Sequence, residues 1–587
     1  MKFYSAIYTS MALATTMFLA GCTNEDEPIV AENSDVTFEI TDAGFGSGSR
    51  ASESGYVTEF TAGDACGLYI VRNGRIISDN IRIQASAGNG AQINWTPDSP
   101  IYGGLEGESV FLYYPYQSDM AGKINLTADD AEEFFAPLAA SWEVKTNQSD
   151  YADYTASDLM TSKGKATATT DGKLNLSFIM THRMALAVIP APLVVYTFKE
   201  ISGVCYGPMP DFKAELPIEF VGNTVPYHFE ETSDSEDRTA YRYLYRPDQS
   251  TTISGSFETF TENPQIGGKE TRAFSMTTSG KQGGAYVTYN VDPDRGPIEC
   301  NLRPYDFFCK DKNNDWYVRP RQEGPGEECI GIVFYAGFNT STYNNVYSPY
   351  PPNADMREDY DTPLYDDGPS LPKGVFHGYV VALADVTDIT QKYRKEYGSC
   401  MLNDIAWSTS LSTISHKNLL TIGNKYLYRG YYNNLQIQKC IKETEGVTKY
   451  DFPAATACEY FGKRDFEWMN YSGRENTIRQ SNAFGWQTRY SAPNNTTGWF
   501  IPSIAQLFKA LQSLEISTKE IKALDGVEIQ YGIYYWTSVE SRKTDLDPSA
   551  GDAHCLPSGF SLYGSDTPPA NSKSYHPNHT VRPILVF

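Results

Sequence analysis

Residues 174–188 spell LNLSFIMTHRMALAV, and this stretch decides the fold class. Its first half alternates apolar and polar residues, which is typical of a strand with one face in a core, whereas an amphipathic helix repeats about every 3.6 residues. Short runs of this kind recur between turn residues, and the chain contains 46 Gly, 33 Pro, 42 Tyr and 29 Phe. Aromatic residues suit the pleated, half-buried surface of a sheet. The sequence therefore predicts a mostly β protein, in which residues 504–514 alone have convincing helical spacing.

Length and charge limit the classes of protein to consider. The 587 residues exceed the size of a single hydrophobic core, so two to four domains are expected. The chain carries 48 Lys and Arg against 72 Asp and Glu, a formal net charge of -24. This charge repels phosphate backbones and anionic lipid surfaces, and no basic stripe offsets it. Nucleic acid is therefore excluded as a partner.

The N-terminus has the form of a secretion signal. Lys2 precedes an apolar stretch, residues 12–20, that is too short to span a bilayer. Residues 19–22, LAGC, resemble the lipobox of bacterial lipoproteins. The resemblance implies that residues 1–21 are removed as a signal peptide and that acyl chains such as palmitate on Cys22 anchor the protein in the cell outer membrane. The alternative is an ordinary signal peptide with an incidental cysteine.

The segment from Cys22 to Arg50 combines an acidic linker with a strand. Residues 23–27, TNEDE, resemble the signal that sends some lipoproteins to the outer face of the outer membrane, and a solvated linker is the alternative. Residues 36–40, VTFEI, alternate and predict a strand. A Gly/Ser-rich segment that ends in Arg50 follows this strand.

The order of motifs over the first third of the chain resembles the fimbrillin family, the subunits of the type V pili of certain anaerobic Gram-negative bacteria. The motifs are SRA (49–51), TEFTAGD (58–64), GLY (67–69), Trp95, YYP (113–115), DLM (158–160), LNLSF (174–178) and THRMALAV (181–188). The resemblance implies two tandem transthyretin-like β-sandwiches, over residues 51–195 and 196–325. It also implies proteolytic processing between Arg50 and Ala51, which releases residues 22–50 with the first strand and opens a sheet edge to a strand from a stalk subunit. The alternative is a flexible linker that happens to contain an arginine.

The last part of the chain, residues 326–587, is predicted to be a separate domain. It resembles the C-type-lectin-like domains of some bacterial surface proteins, through the motifs GWFIPS (498–503), QL (506–507), YWTSVE (535–540) and VRPILV (581–586). The resemblance implies an α+β fold. Ser503 is then the expected N-cap of the helix that carries Leu507 and Leu511.

The sequence contains no recognisable catalytic constellation, so we predict no enzymatic activity and no cofactor. His182 lies in an apolar strand, which favours packing over catalysis. The other candidate histidines are His377, His554 beside Cys555, His576 and His579. A nucleophile at Cys555 would need a base and an orienting group brought together in space, which sequence does not show.

The sequence also contains candidate residues for metal, sugar and disulfide sites. The acidic residues Asp355, Glu358, Asp359, Asp361, Asp366 and Asp367 lack the spacing of an EF-hand loop and predict a solvated loop rather than a metal site. Trp499 and Trp536 could stack on sugars, but their apolar surroundings favour core packing. Cys309 with Cys329, or Cys440 with Cys458, could form a disulfide.

These observations lead to one hypothesis and two rivals. The leading hypothesis is the tip subunit, or adhesin, of a surface-exposed fimbrium assembled by strand donation, which binds a stalk subunit at one end and a glycan or protein receptor at the other. The first rival is a permanently anchored, surface glycan-binding lipoprotein. The second is a surface hydrolase, which would need a role for His377 or His554.

Overall fold

The fold is described from a computed structural model of the chain. The residues that the structure describes are 36–46, 56–88, 93–101, 108–168, 173–200, 207–229, 238–260, 268–278, 280–293, 295–337, 363, 370–385, 430–447, 452–459, 461–462, 487–524, 534–541, 552–557, 570–572 and 579–587.

The strands are numbered along the chain. They are β1 (Val36–Asp42), β2 (Ala65–Arg72), β3 (Arg75–Ala87), β4 (Ile93–Pro97), β5 (Ser109–Tyr114), β6 (Met160–Ala168), β7 (Leu174–His182), β8 (Ala185–Pro190), β9 (Leu193–Phe198), β10 (Phe212–Glu215), β11 (Glu219–Val221), β12 (Tyr227–Phe229), β13 (Ala240–Tyr245), β14 (Thr251–Phe260), β15 (Lys269–Thr278), β16 (Tyr286–Thr288), β17 (Ile298–Cys300), β18 (Phe307–Lys310), β19 (Trp316–Arg319), β20 (Cys329–Ala336), β21 (Gly378–Ala382), β22 (Tyr534–Ser541), β23 (Asp552–Pro557), β24 (Ala570–Ser572), β25 (His579–Thr580) and β26 (Ile584–Val586).

The helices are fewer and mostly short. They are α1 (Ala131–Phe134), α2 (Ala136–Ala140), α3 (Tyr151–Ala156), α4 (Gly430–Glu443), α5 (Pro453–Glu459), α6 (Ile504–Ile516) and α7 (Thr518–Ala523), with 3-10 turns at Arg321–Glu323 and Gln487–Tyr490. Within the described ranges, no helix is long and apolar enough to cross a membrane.

The chain divides into two compact units whose segments alternate along the sequence. The first unit contains residues 1–191, 218–256 and 273–291, and the second contains 192–217, 257–272 and 292–587. Neither unit is one continuous range like the predicted domains. The domain boundaries at 195/196 and 325/326 therefore stay predictions.

The first unit is built on a seven-stranded sheet in the order β1-β7-β6-β5-β2-β3-β4. Strand β1 lies at its edge and pairs in parallel with β7, with Val36 opposite Leu174 and Asp42 opposite Met180. The decisive stretch 174–188 forms two strands, because β7 ends at His182 and β8 begins at Ala185 in another sheet.

Strand β8 belongs to a four-stranded sheet in the order β12-β13-β8-β16. Leu186 and Val188 face one apolar cluster, with Phe111 and Tyr113 of β5, and Ala187 faces a second cluster on the opposite side. Since both faces of β8 are covered, its sequence is a continuous apolar run rather than an alternating one.

The described residues of the second unit form three sheets and the helices α4 to α7. Their strand orders are β10-β9-β17, β19-β18-β20-β21-β26 and β24-β23-β22-β25. Helix α6 packs against strands β20 to β23. Its buried row, listed by position, is Ile504, Leu507, Phe508, Leu511 and Leu514.

The start of α6 confirms the predicted cap. Ser503 is the N-cap and takes part in a capping box with Gln506. The Gln506 side chain accepts hydrogen bonds from the Ser503 N–H at 2.9 Å and from the Gly430 N–H at 3.1 Å. The second bond ties α6 to the start of α4.

The mostly β class is confirmed, whereas the helix content was underestimated. Helix α4 was not predicted, because its buried positions include Asn433 and Asn434 and so lack an apolar stripe. Asn434 donates to the carbonyl oxygens of Gly430 at 2.7 Å and Ile501 at 2.9 Å. Tertiary hydrogen bonds thus replace the apolar pattern. The transthyretin-like and C-type-lectin-like topologies stay predictions.

Candidate functional site

Strand β1 fills the edge of the seven-stranded sheet with alternate apolar side chains. Val36 is buried in the cluster below the sheet, and Phe38 and Ile40 pack against the same cluster, while Glu39 is exposed. The cluster consists of Val36, Cys66, Leu68, Ile70, Ile83, Ile101, Val110, Leu112, Tyr114, Met160, Leu174, Leu176, Phe178 and Met180. We call the edge of β7 together with this cluster the β1 groove.

A buried cluster of three ionisable side chains closes one end of the β1 groove. His182 is the last residue of the inward-facing row of β7, and its side chain is fully buried. Its Nδ1 lies 2.8 Å from Oδ1 of Asp158, and its Nε2 lies 3.0 and 3.1 Å from Oδ1 and Oδ2 of Asp42. His182 on β7 therefore joins β1 to the segment between α3 and β6.

The two carboxylates hold His182 in its charged form. Burial alone lowers the pKa of His182, but the charges and hydrogen bonds of Asp158 and Asp42 outweigh burial and raise the pKa to about 9. For Asp42 the effect of burial is the opposite, since burial raises the pKa of a carboxyl. The bond to His182 and the N–H groups of Thr58 and Gly44 outweigh burial and lower the pKa of Asp42. At neutral pH both ring N–H groups of His182 therefore donate to carboxylates.

The chain directly after β1 also contacts the rest of the first unit. Phe45 is buried and its ring stacks on His182 with the centroids 3.7 Å apart. The Gly46 N–H donates to the Gly284 carbonyl at 2.8 Å, and the Tyr286 N–H donates to the Gly46 carbonyl at 2.9 Å. Residues 36–46 thus contact the rest of the first unit from β1 to Gly46.

The predicted lipidation and processing residues lie outside the described residues. These residues are Cys22, Arg50 and Ala51. The acidic residues of the stretch 355–367 and His576 also lie outside the described residues. Lipidation, cleavage after Arg50 and the behaviour of the acidic stretch stay predictions. Among the residues that the structure does describe, no group of three or more His, Cys, Asp or Glu side chains is arranged to hold a metal.

In the second unit, strand β26 has partners on both sides. It pairs with β21, with Tyr379 opposite Val586. On its other side, Ile584 and Phe500 exchange two backbone hydrogen bonds, and the Thr497 N–H donates to the Val586 carbonyl at 2.9 Å. Strand β26 is the last strand of its five-stranded sheet, and residues 497–500 cover its outer edge with these hydrogen bonds.

His377 is a packing residue of the same unit. It lies 5.4 Å from the ring of Trp316 and 5.8 Å from the ring of Phe587, measured between centroids. Burial lowers the pKa of His377 to about 4, so the ring is neutral at physiological pH. His554 and His579 lie in β23 and β25.

The aromatic and cysteine predictions have clear outcomes. Trp499 and Trp536 are buried, which confirms core packing over sugar stacking. Cys309 and Cys329, which face each other across β18 and β20, form a disulfide. Cys458 is a buried thiol outside any disulfide, so the alternative pair is not formed.

The sequence contained no indication of two groups of buried charges. One is the Asp42–His182–Asp158 cluster, and the other joins Arg582, which precedes β26, to Asp385, which follows β21. The Asp385 carboxylate also accepts from the Tyr535 hydroxyl at 3.5 Å. Local sequence gave no signal for either, because each joins segments that are far apart in the chain.

Comparison with known proteins gives concordant matches. Residues 49–202 match a family model described as fimbrillin-like. A Bacteroides ovatus protein named "Putative fimbrium tip subunit Fim1C" is 28% identical over 575 residues, covering 93% of this chain and 94% of that protein. The chain therefore has a fimbrillin-like region, as its motifs predicted.

The chain also matches solved structures of fimbrial proteins. A fimbrial protein from Bacteroides ovatus is 25% identical with a TM-score of 0.39, covering 95% of this chain and 100% of that one. The fimbrial anchor protein Mfa2 from Porphyromonas gingivalis is 8% identical with a TM-score of 0.17, covering 51% of this chain and 95% of that one.

Proposed function

We propose that this protein is the tip subunit of a surface fimbrium assembled by strand donation. Cleavage after Arg50 removes β1 and opens the β1 groove, a stalk subunit fills the groove with its own strand, and the second unit presents an adhesive surface to a glycan or protein receptor. The supporting observation is that β1 precedes Arg50 and fills a sheet edge with alternate apolar side chains.

The physics of the β1 groove supports acceptance of a strand. Without β1, the outer edge of β7 would present unpaired N–H and C=O groups, and Leu174, Leu176 and Phe178 would lose their cover. Unpaired backbone groups beside an apolar surface are satisfied by a strand with the same alternation. Two types of interaction thus favour refilling the groove.

The second unit supports a terminal position in the fibre. A strand that is donated must be free to leave its own domain, whereas β26 has backbone partners on both sides. A subunit that accepts a strand but does not donate β26 has one polymerisation surface, and a heterologous fibre propagates only through two.

Replacement of Arg50 by alanine tests processing. We expect protein from purified fimbriae to begin at Ala51, and the Arg50→Ala variant to be absent from fimbriae because β1 stays in its groove. N-terminal sequencing and immunoblotting of sheared fimbriae measure this. Arg75→Ala, at an exposed position of β3, is the matched control and should assemble normally. Normal assembly of Arg50→Ala would contradict the proposal and favour the permanently anchored lipoprotein.

Replacement of Cys22 by serine tests the lipid anchor. We expect the variant to carry no fatty acid and to be missing from the cell surface, because the thioether has no other acceptor in the lipobox. Metabolic labelling with a tagged fatty acid, followed by surface proteolysis, measures both effects. Cys458→Ser, which removes a buried thiol far along the chain from the lipobox, should retain the label. Label on Cys22→Ser would show that the lipobox interpretation is wrong.

A further inference from the structure

The Asp42 carboxylate is bound by donors that belong to the part of the chain beyond Arg50. The Thr58 N–H donates to its Oδ2 at 2.6 Å, and His182 Nε2 lies 3.0 Å from its Oδ1. The Gly44 N–H also donates to Asp42, but Gly44 would leave with β1. Two donors that converge on one carboxylate thus stay behind when residues 22–50 are released.

One of the two donors, His182, is fixed by residues that remain. The His182 ring is held at Nδ1 by Asp158, at 2.8 Å. Asp158 is itself buried, at 3% exposure, and its N–H donates to the Thr155 carbonyl at 3.1 Å. These contacts lie outside residues 22–50, so they still orient His182 when Asp42 and the stacked Phe45 are withdrawn.

The charge at this end of the groove favours a carboxylate. Tyr114 and Tyr154 also interact with Asp158, and burial raises the pKa of both, so they stay neutral. Arg242 acts on Tyr154 and adds positive charge nearby. After release of Asp42, the charge and hydrogen bond of Asp158, which raise the pKa of His182, remain, and the Nε2–H and the Thr58 N–H have lost their shared acceptor. Charge-assisted hydrogen bonds are roughly twice as strong as neutral ones.

We propose that His182 and the Thr58 N–H are a carboxylate receptor at the end of the β1 groove, and that the accepted stalk strand carries an aspartate or glutamate at this point. The proposal rests on the proposed strand exchange and adds a specificity rule to it. Apolar side chains of the incoming strand occupy the places of Val36, Phe38 and Ile40, and an acidic side chain occupies the place of Asp42. A strand with the apolar pattern alone fills the groove but leaves the two donors unsatisfied.

A peptide-binding experiment tests the proposal. The full chain is cut after Arg50 with an arginine-specific protease at limiting dose, the Ala51 N-terminus is checked by mass spectrometry, and the released segment is removed in mild denaturant. A fluorescent peptide of residues 36–46 is then titrated and its anisotropy measured. We expect the peptide with Asp42→Asn to bind about tenfold more weakly than the native peptide, the loss expected for one charged hydrogen-bonding partner.

The peptide with Glu39→Gln is the matched control. It loses the same charge from an exposed position of the same strand and should bind within about twofold of the native peptide, as surface changes do. The advantage of the native peptide should shrink as pH rises from 7 to 10, because the pKa of His182 beside Asp42 is about 9.

The outcomes separate this inference from strand exchange itself. Equal binding of the native and Asp42→Asn peptides would overturn the carboxylate receptor and leave strand exchange intact. Failure of the native peptide to bind would overturn both. On a folded His182→Gln variant the advantage of the native peptide should disappear, and the peptide series on the native protein decides the question if that variant does not fold.

Discussion

Replacing His182 with leucine should destabilise the first unit by about 3–5 kcal/mol near pH 6, the cost of removing one partner from a buried ion pair. The substitution leaves the carboxylates of Asp42 and Asp158 buried with no cation between them. The pKa of His182 gives a similar size, since the difference between 6.5 and about 9 corresponds to about 3 kcal/mol. Urea unfolding and hydrogen exchange at β7 each measure this loss of stability.

The cost of His182→Leu should depend on pH in a defined direction. The pKa of His182 is higher in the folded protein, so its contribution is complete below about pH 6.5 and is lost as pH rises through about 9. The pKa of Asp42 is lower in the folded protein, so its contribution is present above pH 3.8 and is lost as pH falls through its folded value. The difference between wild type and variant should therefore be largest between about pH 4.5 and 6.5.

His228→Leu is the matched control for this experiment. His228 lies in β12 of the same unit at an exposed position, so its replacement should change stability by less than about 0.5 kcal/mol. Adding Asp42→Asn and Asp158→Asn to His182→Leu removes both uncompensated charges and should restore part of the loss. A stability loss below about 1 kcal/mol for His182→Leu would show that the cluster does not hold β1.

The strands could be predicted from the sequence because the alternation of apolar and polar residues in a strand is a local pattern. The alternation in VTFEI and LNLSFIM placed β1 and β7, and the apolar spacing from Ile504 with Ser503 before it placed α6 and its cap. Each of these signals depends on neighbours within a few positions along the chain. Helix α4 was not predicted because the side chains of its buried asparagines form hydrogen bonds with residues of other segments.

The candidate site could be predicted only in part, for the same reason. His182 was correctly assigned to packing in a strand, but its partners Asp158 and Asp42 lie 24 and 140 positions away in the chain. Nothing in the run THRMALAV distinguishes a neutral core histidine from one charged between two carboxylates. Only the pairing of β1 with β7 brings Asp42 to His182.

Deleting residues 584–587 should prevent the second unit from folding. Ile584, Leu585, Val586 and Phe587 are all fully buried, and each such side chain contributes about 1.5–3 kcal/mol through burial. The sum, roughly 6–12 kcal/mol, is comparable to the whole stability of a typical domain, about 5–15 kcal/mol. The deletion also removes the backbone partners of Phe500 and His377. Loss of hydrogen-exchange protection in β20 and β21, with β7 still protected, is the expected result.

Point variants measure how much the burial of a single side chain contributes to stability. Leu585→Ala should cost about 2–5 kcal/mol, the usual range for a leucine truncated in a core. Val221→Ala, which shortens a side chain that is 63% exposed in β11, should cost less than about 0.5 kcal/mol. The contrast separates burial in the β26 sheet from a general effect of shortening apolar side chains.

The deletion also tests the proposed position of this protein at the tip of a fibre. If β26 supports the second unit as strongly as its burial indicates, extracting it for donation costs most of that unit's stability, and protein trimmed to Ala51 should stay monomeric in light scattering at high concentration. The same trimmed protein should bind the 36–46 peptide, because the β1 groove is open. A folded second unit after the deletion, together with homopolymers of the trimmed protein, would show that β26 is free to leave and would place the subunit in the shaft.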